Sequence, residues 1–281
     1  IQNNQQYNLG IVISSGRSGT RALSTFINKV GGKSLHRPQD LDFFNNDNHE
    51  YMYALGRKRN TIFYKLYYQN YSNTWLESIL NEVVDVLETS IEYSSKHSQD
   101  FWLTAHRWNI LLPFLYSLGL NYKIIILTRE KRKIIQSMID KDQYGKGAIV
   151  NKESTWSNFM PVDLKTINND LLEYIDSPEF DMVVWYLTFV EIYGKFAAKI
   201  SNKYITFNID SAAKFDTNTV EDLKSILGIN FTGDEFKSFF SKPVNTKSHS
   251  SKSFRFKHYK NWDKRYYVKL NSIEKCFESK L

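Results

Sequence analysis

Apolar positions along this chain follow two spacings that alternate, and the alternation predicts the fold class. Short runs of consecutive apolar residues, such as YKIIILTR at 122–129 and KYITFNID at 203–210, are typical of buried strands. Between such runs, apolar residues recur every three to four positions, which is typical of amphipathic helices. Because strands and helices alternate, we predict an α/β fold with a central parallel sheet flanked by helices.

No internal repeat and no long linker interrupts this pattern, so residues 1–281 are interpreted as a single domain. The polar residues 1–9 are expected to form a flexible lead-in. Residues 143–180 carry little periodicity and are interpreted as an insertion or a cover over the substrate. Within the helical patterns, Thr74 and Glu77 have the spacing of a capping box and predict a helix start.

Composition narrows the classes of partner. Hydrophobic residues make up 42% of the 281 residues and aromatic residues 15%, which is enough for a sizeable core. The net charge of +7 favours anionic ligands but falls short of a nucleic-acid-binding signature, so no nucleic-acid partner is expected. A single cysteine, Cys276, suits a reducing compartment. With no recognisable signal peptide or membrane-length apolar stretch, we expect a cytoplasmic protein without a membrane partner.

The segment GIVISSGRSGTRALSTFI, residues 10–27, is the first with a chemical signature. An apolar run meets a cluster of small residues, and a helical pattern follows at once. Backbone N–H groups of residues 16–21 at a helix N-terminus offer several donors and the positive end of the helix dipole. Arg17 adds a positive charge in the middle of the loop. The segment therefore predicts an anion-binding loop.

The residues after this loop argue against a magnesium-dependent nucleotide site. Such a site needs Lys followed by Ser or Thr after the loop glycine, and an Asp at a neighbouring strand end. Here Gly19 is followed by Thr20 and Arg21, and the strongest predicted strand ends in Thr128 and Arg129. Since a cation stands where a metal-binding acid is needed, we expect the anion to be handled without a metal.

Four segments together resemble the sulfotransferases that take sulfate from 3′-phosphoadenosine 5′-phosphosulfate (PAPS). SSGRSGTRAL is similar to the family's 5′-phosphosulfate loop. KIIILTREKRKIIQSMI resembles its 3′-phosphate segment, with Arg129 followed eight residues later by Ser137. TAHRWNILLP resembles the stretch that carries the catalytic base, here His106, and the strand and helix over 203–229 resemble a late part of the fold. The resemblance runs from about residue 10 to residue 229, with unmatched stretches between these segments.

The resemblance implies a P-loop-like sulfotransferase domain that binds PAPS and releases 3′-phosphoadenosine 5′-phosphate (PAP), with no metal. The 5′-phosphosulfate is expected to contact the loop residues Arg17, Ser18, Gly19, Thr20 and Arg21, and the 3′-phosphate to contact Arg129 and Ser137. His106 is expected to remove the acceptor's proton, since an imidazole ordinarily titrates near neutral pH. Glu50 stays open as an alternative base. Arg17 replaces the lysine of cytosolic members and is expected to stabilise charge without donating a proton.

Two further regions complete the predicted site. Residues 242–262, basic and aromatic, resemble the segment that closes over the donor, with Arg255 and Lys257 as candidate contacts, although the family's Arg-Lys-Gly is absent. Candidate acceptor contacts are Lys65, Trp156, Trp185 and Phe189. Aromatic residues at helical spacing more often pack in a core than line a pocket, and a lysine at a strand end reaches solvent as often as it binds a ligand.

The function predicted from these residues is sulfuryl transfer to a hydroxyl or amine of a small molecule or glycan. One alternative is a non-catalytic module that binds nucleic acid or acidic glycan through Arg and Lys interleaved with Tyr and Phe. A kinase-like P-loop phosphotransferase is a weaker alternative, because the loop lysine and the metal-binding acid are missing. A catalytically degenerate sulfotransferase fold is disfavoured by the joint presence of Arg17, His106, Arg129 and Ser137.

Overall fold

A computed structural model describes residues 9–36, 72–97, 99–117, 119–140, 178–201, 203–241 and 259–262, and a few positions between 264 and 275. Its contacts divide the chain into two compact units, residues 1–129 with 194–246 and residues 130–193 with 247–281. The single-domain interpretation stays a prediction. Most of three predicted segments lies outside the described residues: residues 1–8 of the lead-in, 143–177 of the cover and 242–258 of the closing segment.

Where the structure describes it, the first unit contains five strands: β1 (Leu9–Ile13), β2 (Lys33–Leu35), β3 (Phe101–Leu103), β4 (Tyr122–Thr128) and β5 (Lys203–Asn208). Every pairing between them is parallel, and their order across the sheet is β2-β3-β1-β4-β5. Helices flank this sheet. The predicted α/β fold with a central parallel sheet is therefore confirmed.

Helices alternate with the strands along the chain, as the apolar spacing predicts. They are α1 (Thr20–Lys29), α2 (Asn73–His97), α3 (Leu112–Ser117), α4 (Lys131–Ile139), α5 (Pro178–Ile200), α6 (Ile209–Ala212), α7 (Thr217–Leu227) and α8 (Gly233–Phe240). The described part of the chain also has 3₁₀ segments at His106–Leu111 and Tyr259–Asn261. Within the described residues, no helix combines the length and the apolar character needed to cross a membrane.

The predicted start of α2 is wrong by two residues. The hydroxyl of Ser72, not that of Thr74, accepts the exposed backbone N–H of Trp75 at 3.2 Å. Helix α2 begins at Asn73, so Thr74 already lies in its first turn. Ser72, directly before the helix, binds the third N–H of the helix in the usual capping geometry. It has the capping role that the Thr74–Glu77 spacing predicted for Thr74.

One face of the sheet carries an aromatic core. Val12, Trp102, Ile125 and Phe207 pack there against apolar side chains of α1, α7 and α8. Phe26 at the centre meets four phenylalanine rings at centroid distances of 5.0 to 5.6 Å, those of Phe231, Phe236, Phe239 and Phe240. This packing fixes α1, and with it the loop that precedes α1, against the sheet.

Two glycines permit close approach at the sheet. A Cβ atom on Gly10 would lie 2.2 Å from the ring of Trp102, the residue directly opposite it on β3. On the other face, a Cβ atom on Gly194, near the end of α5, would lie 3.3 Å from Ile126. Because Gly10 has no side chain, the ring of Trp102 can pack against β1. Because Gly194 has none, the last turns of α5 can pack close to the sheet.

The second unit has its own aromatic cluster. The ring of Phe180 lies 5.1 Å from that of Trp262 and 5.3 Å from that of Tyr266. On α4, Arg132 Nη1 donates a hydrogen bond to the hydroxyl of Tyr267 at 3.0 Å. These contacts tie α4, α5 and the C-terminal residues together within this unit.

Candidate anion-binding site

The loop between β1 and α1 has an unusual backbone. Gly16, Arg17 and Gly19 have φ angles of 80°, 55° and 100°, all in the left-handed region. Among the described non-glycine residues, only Arg17 and Phe215 have positive φ, a conformation that costs an L-residue about 1–2 kcal/mol. Left-handed residues in series are typical of loops that turn successive N–H groups towards one concave side, where an anion can bind.

Helix α1 begins without a side-chain cap. Its N-cap is Gly19, and its first backbone hydrogen bond runs from Leu23 N–H to the Gly19 carbonyl at 3.0 Å. The N–H groups of the three residues between them have no acceptor within the helix. Helices α6, α7 and α8 are instead capped by Asn208, Asp216 and Thr232. The start of α1 therefore presents free donors and the positive end of its dipole.

Ser18 adds a second unsatisfied group to the same loop. Its side chain is fully buried, and its hydroxyl has no hydrogen-bond partner among the residues that the structure describes. Leaving such a group unpaired costs about 1–3 kcal/mol. The hydroxyl and the uncapped N–H groups form a donor set that fits an oxyanion such as a phosphate or sulfate.

Arg129 follows the last residue of β4 and is held at the loop. Its Nη1 donates to the Arg17 carbonyl at 3.0 Å, and its Nε lies 3.9 Å from Oδ1 of Asp210. The amide of Asp210 in turn donates to Oδ1 of Asn208 at 2.9 Å. Because β1, β4 and β5 are adjacent and parallel, their carboxyl ends meet at one edge, and there the loop, Arg129 and Asp210 come together.

The guanidinium of Arg17 lies in a partly buried and positively charged environment. Burial of the guanidinium, and secondarily the positive charge of Arg129, lower the pKa of Arg17 below its ordinary value. The group nevertheless keeps its proton at neutral pH, as arginine does in proteins. Two cations therefore lie at one loop, one of them partly removed from water, and both charges would attract an anion bound there.

His106 approaches this loop from the segment after β3. A Cβ atom on Gly16 would lie 3.2 Å from Cγ and Nδ1 of the His106 imidazole, so the ring packs directly over the backbone of Gly16. The fully buried Asn109 lies three residues later in the same 3₁₀ segment. Its Nδ2 donates to the Ser14 carbonyl at 2.7 Å, and the Ser14 N–H donates to its Oδ1 at 3.3 Å.

The structure brings only some of the sequence-predicted site residues together. The structure brings together the loop residues 17–20, Arg129 and His106, whereas Arg21 is exposed in the first turn of α1. Ser137 lies half-buried on α4 in the second unit. Trp185 and Phe189 lie on α5, and nothing is described of their side chains. Glu50, Lys65, Trp156, Arg255 and Lys257 lie outside the described residues.

The sequence reasoning missed Asn109 and Asp210. A signal exists for each: Asn109 is a polar residue within the otherwise apolar WNILLP, and Asp210 is the acid at the end of the predicted strand KYITFNID. In the described part of the chain, no group of three or more His, Cys, Asp or Glu side chains could hold a metal ion. Comparisons with family models, curated proteins and solved structures find no match to this chain.

Proposed function

We propose that this protein is a sulfotransferase that moves the sulfuryl group of PAPS to a hydroxyl or amine of a small molecule or glycan. The observation that carries the proposal is the meeting of three distant segments at one sheet edge. His106 packs over Gly16, and Arg129 binds the carbonyl of Arg17 in the same loop. The resemblance assigns these segments to the base, the 3′-phosphate and the 5′-phosphosulfate.

The donor set at the loop suits the 5′-phosphosulfate of PAPS. The uncapped N–H groups of α1, the buried hydroxyl of Ser18 and the guanidinium of Arg17 supply donors to several anionic oxygens. Arg129 is anchored through Nη1 and lies beside Asp210. Its remaining donors suit the 3′-phosphate, and the role of Ser137 there stays a prediction from the sequence.

The chemistry expected of these residues is an in-line displacement at sulfur. The bond between sulfur and the donor's phosphate oxygen breaks as a bond from sulfur to the acceptor atom forms. His106 accepts the proton that the acceptor loses. Arg17 and the loop N–H groups offset the negative charge that gathers on the leaving PAP. Because a guanidinium holds its proton, Arg17 acts by its charge.

The geometry disfavours the kinase-like alternative. A magnesium-dependent transferase needs a carboxylate at the strand end to help hold its metal. At the end of β4 this chain has Arg129, and the neighbouring acid Asp210 lies against that arginine at 3.9 Å. The acid therefore orients a cation, which suits binding of a phosphate ester without a metal.

Calorimetric titration with PAP in the absence of magnesium tests the donor site. Wild type should bind PAP much more tightly than 5′-AMP, because AMP lacks the 3′-phosphate. Arg129→Ala should weaken PAP binding about 10- to 100-fold, the usual value of a hydrogen bond to a charged group. Lys203→Ala removes an exposed cation at the start of β5 and serves as the control that should bind normally. Equal affinity for PAP and 5′-AMP, or no PAP binding, would contradict the proposal.

Transfer from labelled PAPS to a panel of hydroxyl and amine acceptors tests catalysis. His106→Ala should retain PAP affinity and lose transfer about 10²- to 10⁴-fold, as expected when a general base is removed. A chain that binds PAP but transfers sulfate to none of the acceptors would favour the non-catalytic binding module. Salt-sensitive binding of oligonucleotides without preference for PAP would favour that module as well.

A further inference from the structure

Resting on the function proposed above, we infer that Asn109 is a positioning residue that sets the place of His106 relative to the anion-binding loop. Asn109 is fully buried, and its side-chain amide bonds both backbone groups of Ser14, the residue at which β1 passes into the loop. The two bonds join chain segments that are 95 residues apart. They connect the segment that carries His106 directly to the loop that carries Arg17.

The 3₁₀ geometry makes this connection specific for His106. A 3₁₀ helix has three residues per turn, so side chains three apart project from the same side. His106 and Asn109 are the first and fourth residues of the segment. The two side chains meet the loop two residues apart, His106 over Gly16 and Asn109 at Ser14. Any shift of Asn109 relative to Ser14 therefore moves the imidazole relative to Gly16.

The sheet itself does not supply this connection. Pairing of β1 with β3 ends at Ile11 opposite Leu103, whereas pairing of β1 with β4 continues to Ile13. The amide of Asn109 binds the backbone of Ser14, directly after β1 and three residues beyond the end of the β3 pairing. Only a side chain that both donates and accepts can make the two bonds, and asparagine does so without a charge.

The chain contains a matched control for this contact. Asn28 at the end of α1 makes the same pair of bonds to Ser34 of β2, accepting from its N–H at 2.7 Å and donating to its carbonyl at 3.2 Å. Asn28 lies eight residues beyond Thr20, or about 12 Å along the helix. Asn28→Leu therefore breaks an equivalent clamp at the far end of α1 from the loop.

The test compares Asn109→Leu with Asn28→Leu. Both variants should lower the melting temperature, because each loses two backbone-directed hydrogen bonds. Asn109→Leu should lower kcat about 100-fold, the usual effect of an ångström-scale displacement, with PAP affinity changed far less. Asn28→Leu should leave kcat per folded molecule within about twofold of wild type, since its clamp lies outside the site. In a His106→Ala background, Asn109→Leu should have no further effect on kcat, because the two residues act through one group.

The inference would be overturned if Asn109→Leu lowered kcat by the same factor in the His106→Ala background as in wild type. It would also be overturned if Asn109→Leu lowered the melting temperature but left kcat unchanged. If Asn109→Leu does not fold, Asn109→Asp keeps the side-chain shape and removes the donor, and it is measured in the same way. Should wild type neither bind PAP nor transfer sulfate, the proposed function fails on its own. The imidazole NMR signal of His106 then decides: it must shift in the Asn109 variant and not in Asn28→Leu.

Discussion

Replacement of Gly16 by alanine tests the closest contact in the site. Gly16 has φ of 80°, and an added Cβ would lie 3.2 Å from the imidazole of His106. The left-handed backbone costs alanine about 1–2 kcal/mol. Reduced freedom of the unfolded chain returns about 0.4–1 kcal/mol. We therefore expect a backbone effect of about 1 kcal/mol, with a further effect from the displaced ring.

Gly31 separates these two effects. Its φ of 90° is close to that of Gly16, but nothing lies within 4 Å of a Cβ built on it. Gly31→Ala should therefore be destabilised by the backbone effect alone, which is about 1 kcal/mol. Gly16→Ala must also move the His106 ring by a few tenths of an ångström, and an off-rotamer side chain adds about 0.5–1.5 kcal/mol.

Urea unfolding of wild type and the two variants measures the difference, compared at the transition midpoints with a common m-value to avoid long extrapolation. Gly16→Ala should be the less stable variant and should also lower the proposed sulfate transfer about 10-fold or more, because His106, the proposed base, is misplaced. Gly31→Ala should transfer normally. Equal stability of the two variants, with an unchanged His106 imidazole signal in Gly16→Ala, would refute the packing of His106 on the loop.

Two further predictions concern the first unit. Gly10→Ala should destabilise the protein by about 1–3 kcal/mol or more in the same urea assay, because its Cβ would lie 2.2 Å from the Trp102 ring; unchanged stability would show that the ring has room to move. The Thr232 N–H, bonded to the carboxylate, lowers the pKa of Glu235 below its ordinary 4.5. The stability advantage of wild type over Glu235→Gln should therefore be present above pH 4.5 and close as the pH falls through the lower folded-state pKa; a gap that is independent of pH would contradict it.

The elements with strong periodicity were predictable because their signal is local. The continuous apolar run of β4 is typical of a strand inside a parallel sheet, and the structure places β4 between β1 and β5. The apolar spacing of α1 and α7 likewise corresponds to the buried stripes of these helices. The predicted start of α2 was wrong because its local signal is weaker. Thr74 and Ser72 both suit a helix cap, and in the structure Ser72 is the cap. The propensity of a single residue does not separate two such neighbours.

The sequence by itself determined the fold class, the β1–α1 loop and the residue types at the strand ends. Each of these follows from the spacing of apolar, small and charged residues within a short segment. Only the tertiary structure decided that Asn109 clamps Ser14, that His106 packs over Gly16, and that Asp210 accompanies Arg129. These contacts join residues far apart in the chain, and strand order and register bring them to one sheet edge. The physical reason is that local spacing carries no information about which strands become neighbours.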